Sequence, residues 1–338
     1  MTINRRQMLQ LFMMGSATVS LGLPKTSRQR SMVLVTNSEG DDITVIDLER
    51  LAVAGDWKVG EHPHGIAVPA NSRVAYTTIE TEKALKSLDT SSGKVLSTLA
   101  MPGRPNQCAV TPNGKFVAVP IFDGDSVQIV DAESMKILKT LPVKMPHNCL
   151  NTGNNEHIFV TSIKGNQVNM IDLRTLEYMA EIPVGGVPRP IAVDRQEKNM
   201  YVALSDFHGF VIVDIPSRKV VHKVEFPALP PNTDLRPLLN TATHGLTLTP
   251  DGKELWAASV PTGNVFVYDV PSAKVASAIA VGQLPNWITF SPDGRYACIT
   301  NTGSNDCSIV DHHSKKEVAR VKVGKAPKRL TAISVTEV

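Results

Sequence analysis

The chain has 338 residues, a formal net charge of +3, 42% hydrophobic residues and 20% charged residues. This balance is ordinary for a globular protein that is long enough to bury a substantial core. So small a positive charge, without a basic run interleaved with aromatic residues, argues against binding to DNA or RNA. Composition leaves the other classes of function open.

Residues 1–30 have the layout of a twin-arginine export signal followed by a linker. Arg5 and Arg6 precede an uncharged apolar stretch from Leu11 to Leu23, and Pro24 follows it. That stretch is shorter than the roughly 20 residues that span a bilayer, which favours export to the periplasm over a transmembrane anchor. No clean Ala-x-Ala cleavage site is visible, so an uncleaved segment that tethers the protein to the membrane stays open.

Residues 31–338 carry an internal repeat marked by seven aspartates, each closing a short run of β-branched and apolar residues. They are Asp47, Asp89, Asp131, Asp172, Asp214, Asp269 and Asp311, at steps of 42, 42, 41, 42, 55 and 42 residues. A period of about 40 residues with several short strands is typical of a β-propeller blade, because one small sheet cannot bury both faces until its neighbours stack on it. We therefore predict an all-β fold, a seven-bladed β-propeller that occupies residues 31–338 as one domain.

Each repeat unit has the pattern of four antiparallel strands. Six units open with a proline that begins an apolar run, and Thr243 stands at that position in the remaining unit. The prolines are Pro63, Pro105, Pro146, Pro188, Pro285 and Pro327. Sequences such as Thr-Pro-Asp-Gly at 249–252 then predict the turns that join neighbouring strands.

The two ends of the repeat are incomplete in complementary ways. The ordered chain starts near Met32 with the pattern of a second, third and fourth strand, whereas Ala326 to Val335 has the pattern of a first strand with nothing after it. We expect the two ends to pair within one blade, because this join closes the ring and removes exposed sheet edges.

Several segments resemble the YVTN-type propeller repeat, and the resemblance covers essentially the whole chain after the signal. They are Val35-Thr36-Asn37, Ile299-Thr300-Asn301, Val45-Ile46-Asp47 and Ser291-Pro292-Asp293-Gly294. The resemblance implies the propeller fold and leaves the chemistry open, because these motifs build strands and turns.

The cysteines fall into two kinds of position. Cys108 and Cys149 share the register of apolar first-strand residues, so we expect small buried side chains there. Cys298 and Cys307 flank a hairpin that we centre between residues 302 and 303, which places them directly opposite each other. Opposed residues about 4.5 Å apart at Cα can form a disulfide in an oxidising compartment, and this pairing stays open. No Cys-x-x-Cys motif supports a zinc ribbon or a covalently attached haem.

The residue directly after each opening position is polar in all seven units. These residues are His64, Asn106, His147, Arg189, His244, Asn286 and Lys328. The loops that lead into the first strands of a propeller surround one mouth of its central channel, so we expect these side chains to form a polar ring there, here named the mouth ring. Its three neutral imidazoles are good ligands for copper, zinc or iron, with coordination positions left for water or substrate. The two asparagines, the arginine and the lysine are candidate ligand-binding residues.

The loops between second and third strands are expected at the same mouth. They bring Glu80, Asp123 and His208 towards the mouth ring as candidates for proton transfer. Arg189 joins them as a candidate catalytic residue, and either Arg189 or Lys328 is expected to bind an anionic group. The step of 55 residues exceeds the common step of 42 by 13, and the excess lies within residues 225–242. This insertion is either a lid or binding loop, with Asp234 and Arg236 as its notable polar groups, or a proline-rich surface excursion.

A second resemblance is local. His62-Pro63-His64-Gly65-Ile66 resembles the Pro-His-Gly segments of streptogramin B lyases, seven-bladed propellers that use a divalent metal for elimination. The resemblance implies a catalytic role for His64 and, more loosely, for His244. The chain departs from that pattern, because His62 stands where those lyases have a metal-binding acid.

Two classes of function follow from these patterns. The first is a periplasmic metal-dependent oxidoreductase or lyase, with a transition metal in the mouth ring. The second is a non-catalytic binding or scaffold propeller. The expected partner of the protein is a small-molecule ligand or an exported redox protein.

Overall fold

The computed structural model describes residues 28–69 and 73–337. Within these ranges the regular elements are 28 β-strands in seven four-stranded sheets. One compact body spans Arg30–Val335. The twin-arginine motif and its apolar stretch lie outside the described residues. A helix long and apolar enough to cross a membrane is not found in the described part of the chain.

The strands are numbered in chain order, and the blades are numbered by their innermost strands. The chain begins with β1 (Arg28–Asn37), β2 (Asp42–Asp47) and β3 (Ala52–Lys58). Blade 1 contains β4 (Pro63–Ala67), β5 (Val74–Ile79), β6 (Ala84–Asp89) and β7 (Val95–Ala100). Blade 2 contains β8 (Ala109–Val110), β9 (Phe116–Ile121), β10 (Ser126–Asp131) and β11 (Lys136–Pro142). Blade 3 contains β12 (Pro146–Asn151), β13 (His157–Ser162), β14 (Gln167–Asp172) and β15 (Glu177–Pro183).

Blade 4 contains β16 (Pro188–Val193), β17 (Asn199–Leu204), β18 (Gly209–Asp214) and β19 (Lys219–Glu225). Blade 5 contains β20 (Thr243–Leu248), β21 (Glu254–Ser259), β22 (Asn264–Asp269) and β23 (Lys274–Ala280). Blade 6 contains β24 (Pro285–Phe290), β25 (Tyr296–Asn301), β26 (Asp306–Asp311) and β27 (Lys316–Lys322). The last strand, β28 (Pro327–Glu337), lies beside β1, so blade 7 has the order β28, β1, β2, β3. The predicted seven-bladed propeller and its closure by the two chain ends are confirmed.

The repeating aspartates form the turns between third and fourth strands. All seven accept the backbone N–H of the residue three positions later, as Asp89 does from Ser92 at 2.9 Å. The residue four positions after each aspartate has a positive φ. Only one of these seven residues, Gly93, is a glycine. An aspartate can satisfy the turn backbone with its own side chain, which explains why it recurs once per blade.

The threonines of the YVTN-like strands connect each blade to the next. In blade 1 the Thr78 hydroxyl accepts the Gly65 N–H at 2.7 Å and donates to the Asn106 carbonyl of blade 2. Thr36 and Thr300 make the same pair of contacts in blades 7 and 6. Each threonine hydroxyl accepts a backbone N–H at a β-bulge near the start of an innermost strand. At the bulge this N–H has no partner in the regular strand-to-strand hydrogen bonding. The blades are therefore tied together by hydrogen bonds at the mouth-ring residues.

The hydrophobic core lies mainly between neighbouring blades. One cluster joins Leu85 of blade 1 to Val117 and Ile121 of blade 2. Cys108 and Cys149, only 1% and 3% exposed, belong to two of these clusters, which confirms their predicted burial. Blade-to-blade burial explains why the fold needs the whole ring.

The predicted register of Cys298 and Cys307 is wrong. The hairpin between β25 and β26 pairs residues 301 and 306 at its end, so Cys298 faces Ile309 and Cys307 faces Thr300. The hairpin is centred between residues 303 and 304 and not between 302 and 303, which shifts the pairing by two residues and makes the cysteines diagonal neighbours. Both are buried free thiols.

Candidate functional site

The mouth ring is built by the first residues of the seven innermost strands. Six of its members occupy the second position of their strand, and Asn106 follows an isolated bridge between Pro105 and Ile121 that precedes β8. The three ring histidines are 4–5% exposed and the two asparagines 2–5%. Arg189 and Lys328 are half-buried, so the ring is a buried polar layer with two cations nearer to solvent.

His147 and His244 are neighbours although blade 4 separates them in sequence. Their ring centroids are 5.8 Å apart in an edge-on arrangement. Arg189 of blade 4 places Nη1 3.2 Å from His147 Nε2, and His244 Nδ1 lies 2.8 Å from the backbone carbonyl of Asn286. Burial, followed by repulsion from nearby arginines, holds the pKa of both histidines well below the ordinary value, so both are neutral at pH 7.

His64 lies beside Glu80, as the predicted convergence of loops and ring requires. His64 Nδ1 is 3.0 Å from Glu80 Oε1, an electrostatic contact rather than an aligned hydrogen bond. Burial lowers the pKa of His64 to about 4 against the opposing effect of Glu80. Burial alone would raise the pKa of Glu80, but His64, Arg104 and Lys328 outweigh it and lower that pKa. The pair therefore consists of a neutral imidazole and a carboxylate.

Arg329 is the residue at this site that the sequence analysis missed. It is 1% exposed, donates from Nε to Gln107 and from Nη1 to Asn286, and places its guanidinium 4.1 Å from the ring centre of Trp287. Burial, then repulsion from Arg189, lowers the pKa of Arg329 to about 9, so it remains cationic at neutral pH. A signal was available, because Arg329, Gln107 and Trp287 all stand one residue after the mouth-ring position of their units.

Other predicted site residues lie nearby but have local partners. Asp123 accepts the backbone N–H of Arg104 at 2.6 Å in a surface turn. His208 contacts the Pro227 carbonyl through Nδ1 at 2.9 Å and the Ser259 hydroxyl through Nε2 at 2.7 Å. Both ring nitrogens of His208 are therefore used, and its position fixes the start of the insertion.

The insertion between β19 and β20 begins on a buried aromatic residue and then runs over the surface. Phe226 is 2% exposed and stacks on Phe266 with ring centroids 4.3 Å apart. Asp234 and Arg236 form an exposed ion pair with each other. This pairing agrees with the interpretation of the segment as a surface excursion.

The three mouth-ring histidines do not fit a shared cation site in this arrangement. Among the described residues, no three His, Cys, Asp or Glu side chains are placed to hold a metal ion together. Arginine can only donate, so Arg189 occupies the lone pair of His147 Nε2. The metal site stays a prediction and would require Arg189 to move.

Cations without carboxylate partners distinguish this site. Within the described residues, Arg189, Lys328 and Arg329 have no ion pair, and the side-chain partners of the two arginines are neutral. Arg329 Nη2 is buried without a hydrogen-bond partner. The same holds for His64 Nε2, His147 Nδ1 and Asn106 Oδ1. Buried polar groups normally have partners, so these atoms mark a place that suits a polar ligand.

A cavity of about 830 Å³ lies along the innermost strands on the other side of the mouth ring. Gln107, Asn148 and Trp287 line one end, and turn residues such as Asp251 line the other. Because Gln107 and Trp287 also contact Arg329, this arginine stands between the mouth ring and the cavity.

Comparison with known families decides the classification. Residues 60–232, just over half of the chain, match the YNCE-like beta-propeller family. The chain belongs to this family. No curated protein sequence matches it.

Solved structures similar to this YNCE-like propeller share its fold at low sequence identity. A functionally unknown protein from Desulfotomaculum acetoxidans superposes with a TM-score of 0.74 at 14% identity, covering 89% of this chain and 98% of that one. Kuenenia stuttgartiensis hydrazine synthase gives 0.68 at 18%, covering 81% and 95%. The dihydro-heme d1 dehydrogenase NirN, in complex with DHE, gives 0.63 at 13%, covering 89% and 74%. These similarities concern the fold alone.

Proposed function

We propose that this protein binds an anionic small molecule at the mouth ring, held by Arg189, Lys328 and Arg329. The observation that carries the proposal is that none of these three cations makes a close ion pair within the described structure, since Glu80 acts on Lys328 and Arg329 only at longer range. Buried charges are normally paired, because removing an unpaired ion from water costs several kcal/mol. A carboxylate or phosphate would supply the missing negative charge.

The same residues favour an anion over a metal ion. Arginine and protonated lysine are hydrogen-bond donors without a free lone pair, so they suit the oxygen atoms of an anion and cannot coordinate a metal ion. Burial lowers the pKa of Lys328, against the opposing effect of Glu80. The neutral ring histidines would then serve as hydrogen-bonding groups.

The location and any partner are part of this proposal. The twin-arginine layout at residues 1–30 supports binding in the periplasm. If the mouth does not bind an anion, a scaffold for an exported redox protein is the alternative. Since NirN is named for its action on dihydro-heme d1, a carboxylate-bearing tetrapyrrole belongs among the ligands tested.

Calorimetric titration of the purified chain with phosphate, small carboxylates and haem tests the proposal. Arg189→Gln should weaken binding by about tenfold or more, because a charge-assisted contact is lost. Arg236→Gln is the matched control, since Arg236 is 84% exposed and pairs only with Asp234 among the described residues. It should bind as the wild type does.

Elemental analysis of the same samples distinguishes anion binding from the competing hypothesis of a metal site. The variant with asparagine at His64, His147 and His244 is measured beside the wild type. About one metal per chain in the wild type and none in the variant, without anion binding in either, would overturn the proposal in favour of a metal site. Equal anion affinity of wild type and Arg189→Gln would also contradict it.

A further inference from the structure

The proton positions of the ring histidines are set by their neighbours. The carboxylate of Glu80, 3.0 Å from His64 Nδ1, favours a proton on that nitrogen. A neutral imidazole carries one proton, so His64 Nε2 is left as a hydrogen-bond acceptor. This nitrogen is buried and has no partner.

His244 has the same proton arrangement for a different reason. A backbone carbonyl can only accept, so the 2.8 Å contact with the Asn286 carbonyl requires a proton on His244 Nδ1. The Nε2 atom of His244 is therefore a second acceptor. His244 as a whole residue is 4% exposed.

His147 is arranged in the opposite way. Its Nε2 accepts from Arg189, so the proton is on Nδ1, a buried donor without a partner. Donors and acceptors thus lie on different blades and are interspersed around the ring. The donors lie on blades 3, 4 and 7 and are His147, Arg189, Lys328 and Arg329. The acceptors lie on blades 1, 5 and 2 and are His64 Nε2, His244 Nε2 and the unpartnered Asn106 Oδ1.

From this pattern we infer that the ligand is an acid that also carries a hydroxyl or N–H group, such as a hydroxy acid. The inference rests on the proposed anion binding at the same site. A simple carboxylate would satisfy the cations and leave the imidazole acceptors facing negative charge. A ligand hydroxyl would instead donate to His64 Nε2, which is buried without a partner, or to His244 Nε2.

Matched pairs of acids that differ by one hydroxyl test this inference. Lactate against propionate, malate against succinate, and citrate against tricarballylate are titrated into the full chain by calorimetry. In at least one pair the hydroxy acid should bind about tenfold more tightly, the effect of one good buried hydrogen bond.

Three variants separate the effect of the ligand's hydroxyl from the effect of its charge. His64→Leu should reduce the preference for the hydroxy acid, and His64→Asn should retain part of it, because its amide oxygen can accept. Asparagine already occupies two ring positions, Asn106 and Asn286, so this variant is expected to fold. Lys328→Met should weaken both members of a pair by the same factor.

The outcomes distinguish failure of the proposed anion binding from failure of the inferred preference for hydroxy acids. If neither phosphate, haem nor any acid of these pairs binds, the proposed function fails and the inference fails with it. If phosphate or haem binds and no acid of any pair does, the inference alone is overturned. If acids bind but both members of every pair bind equally, the inference alone is overturned. If both single variants, His64→Leu and His244→Leu, kept the full preference for the hydroxy acid, the inference would also be overturned.

Discussion

At the scale of single residues, burial decides the charge state of the channel mouth. The three ring histidines are neutral because burial is the largest influence on each pKa and nearby arginines act in the same direction. Arg329 stays charged in the same layer, since even its lowered pKa of about 9 is above neutral pH. The mouth is therefore positive through arginine and lysine, while its imidazoles act as neutral hydrogen-bonding groups.

Acid should destabilise the fold before it protonates the ring. The pKa of His64 is 6.5 in the unfolded reference and about 4 when folded, so the unfolded state binds more protons between these values. The stability that comes from the neutral histidines is complete above pH 6.5 and is lost as the pH falls towards the folded pKa. The loss is up to about 1.4 kcal/mol per pH unit for each histidine.

Urea unfolding at neutral pH and at mildly acidic pH, with a chelator present, measures this loss. His147→Asn removes one titrating group and should reduce the dependence of the unfolding free energy on pH by about 1 kcal/mol per unit. Thr98→Val on the exposed side of β7 removes no titrating group, so it is the control and should leave the slope unchanged. Identical slopes for all three proteins would contradict the expected burial cost.

At the scale of elements, a recurring aspartate and a recurring threonine make the hydrogen bonds that close the turns and connect neighbouring blades. The aspartate closes the turn between third and fourth strands, and the threonine serves the bulge and reaches the next blade. The threonine matters for the site because its two backbone partners, Gly65 and Asn106, adjoin or belong to the mouth ring. Blade stacking and site geometry are therefore linked at this hydroxyl.

Thr78→Val should cost about 2 to 4 kcal/mol of unfolding free energy. The substitution keeps the side-chain shape and leaves a buried N–H and a buried carbonyl without the hydroxyl, at about 1–3 kcal/mol for an unsatisfied group. Thr98→Val on the exposed side of β7 is the matched control and should change stability by less than about 0.5 kcal/mol. Chemical denaturation of both variants checks the difference, and similar losses would refute the bridging role.

At the scale of the whole molecule, ring closure depends on a strand from the end of the chain. β28 completes blade 7 and brings Lys328 and Arg329 to the mouth. Closure is thus a condition for the fold and for the cationic site together. Without it, β1 would be an exposed edge, and edges of this kind promote aggregation.

Removal of residues 326–338 should yield an aggregated or unfolded chain. A circular permutant that begins at residue 325 and joins the end of β28 to the start of β1 keeps every strand and should remain monodisperse. Size-exclusion chromatography with circular dichroism compares the two. A truncated chain as well folded as the permutant would show that closure is dispensable.

Much of this architecture was determined by the sequence alone, because the signals are local. The aspartate turns, the opening prolines and the bulge threonines each act within or next to one blade, and their period of about 40 residues identifies the propeller. The same period places three histidines in one ring. Even the complementary ends of the chain predicted closure, since an incomplete sheet needs its missing strand.

Only the tertiary structure decided which ring residues touch and which charges lack partners. Arg329 meets Gln107 and Asn286 from blades 2 and 6, a combination that no sequence spacing specifies. The proton on each histidine likewise depends on a neighbour from a loop or another blade. The register of Cys298 and Cys307 depended on where one hairpin is centred, because a different centre moves every pair along its strands. Contacts across a closed ring follow from its geometry, which each repeat unit encodes only in part.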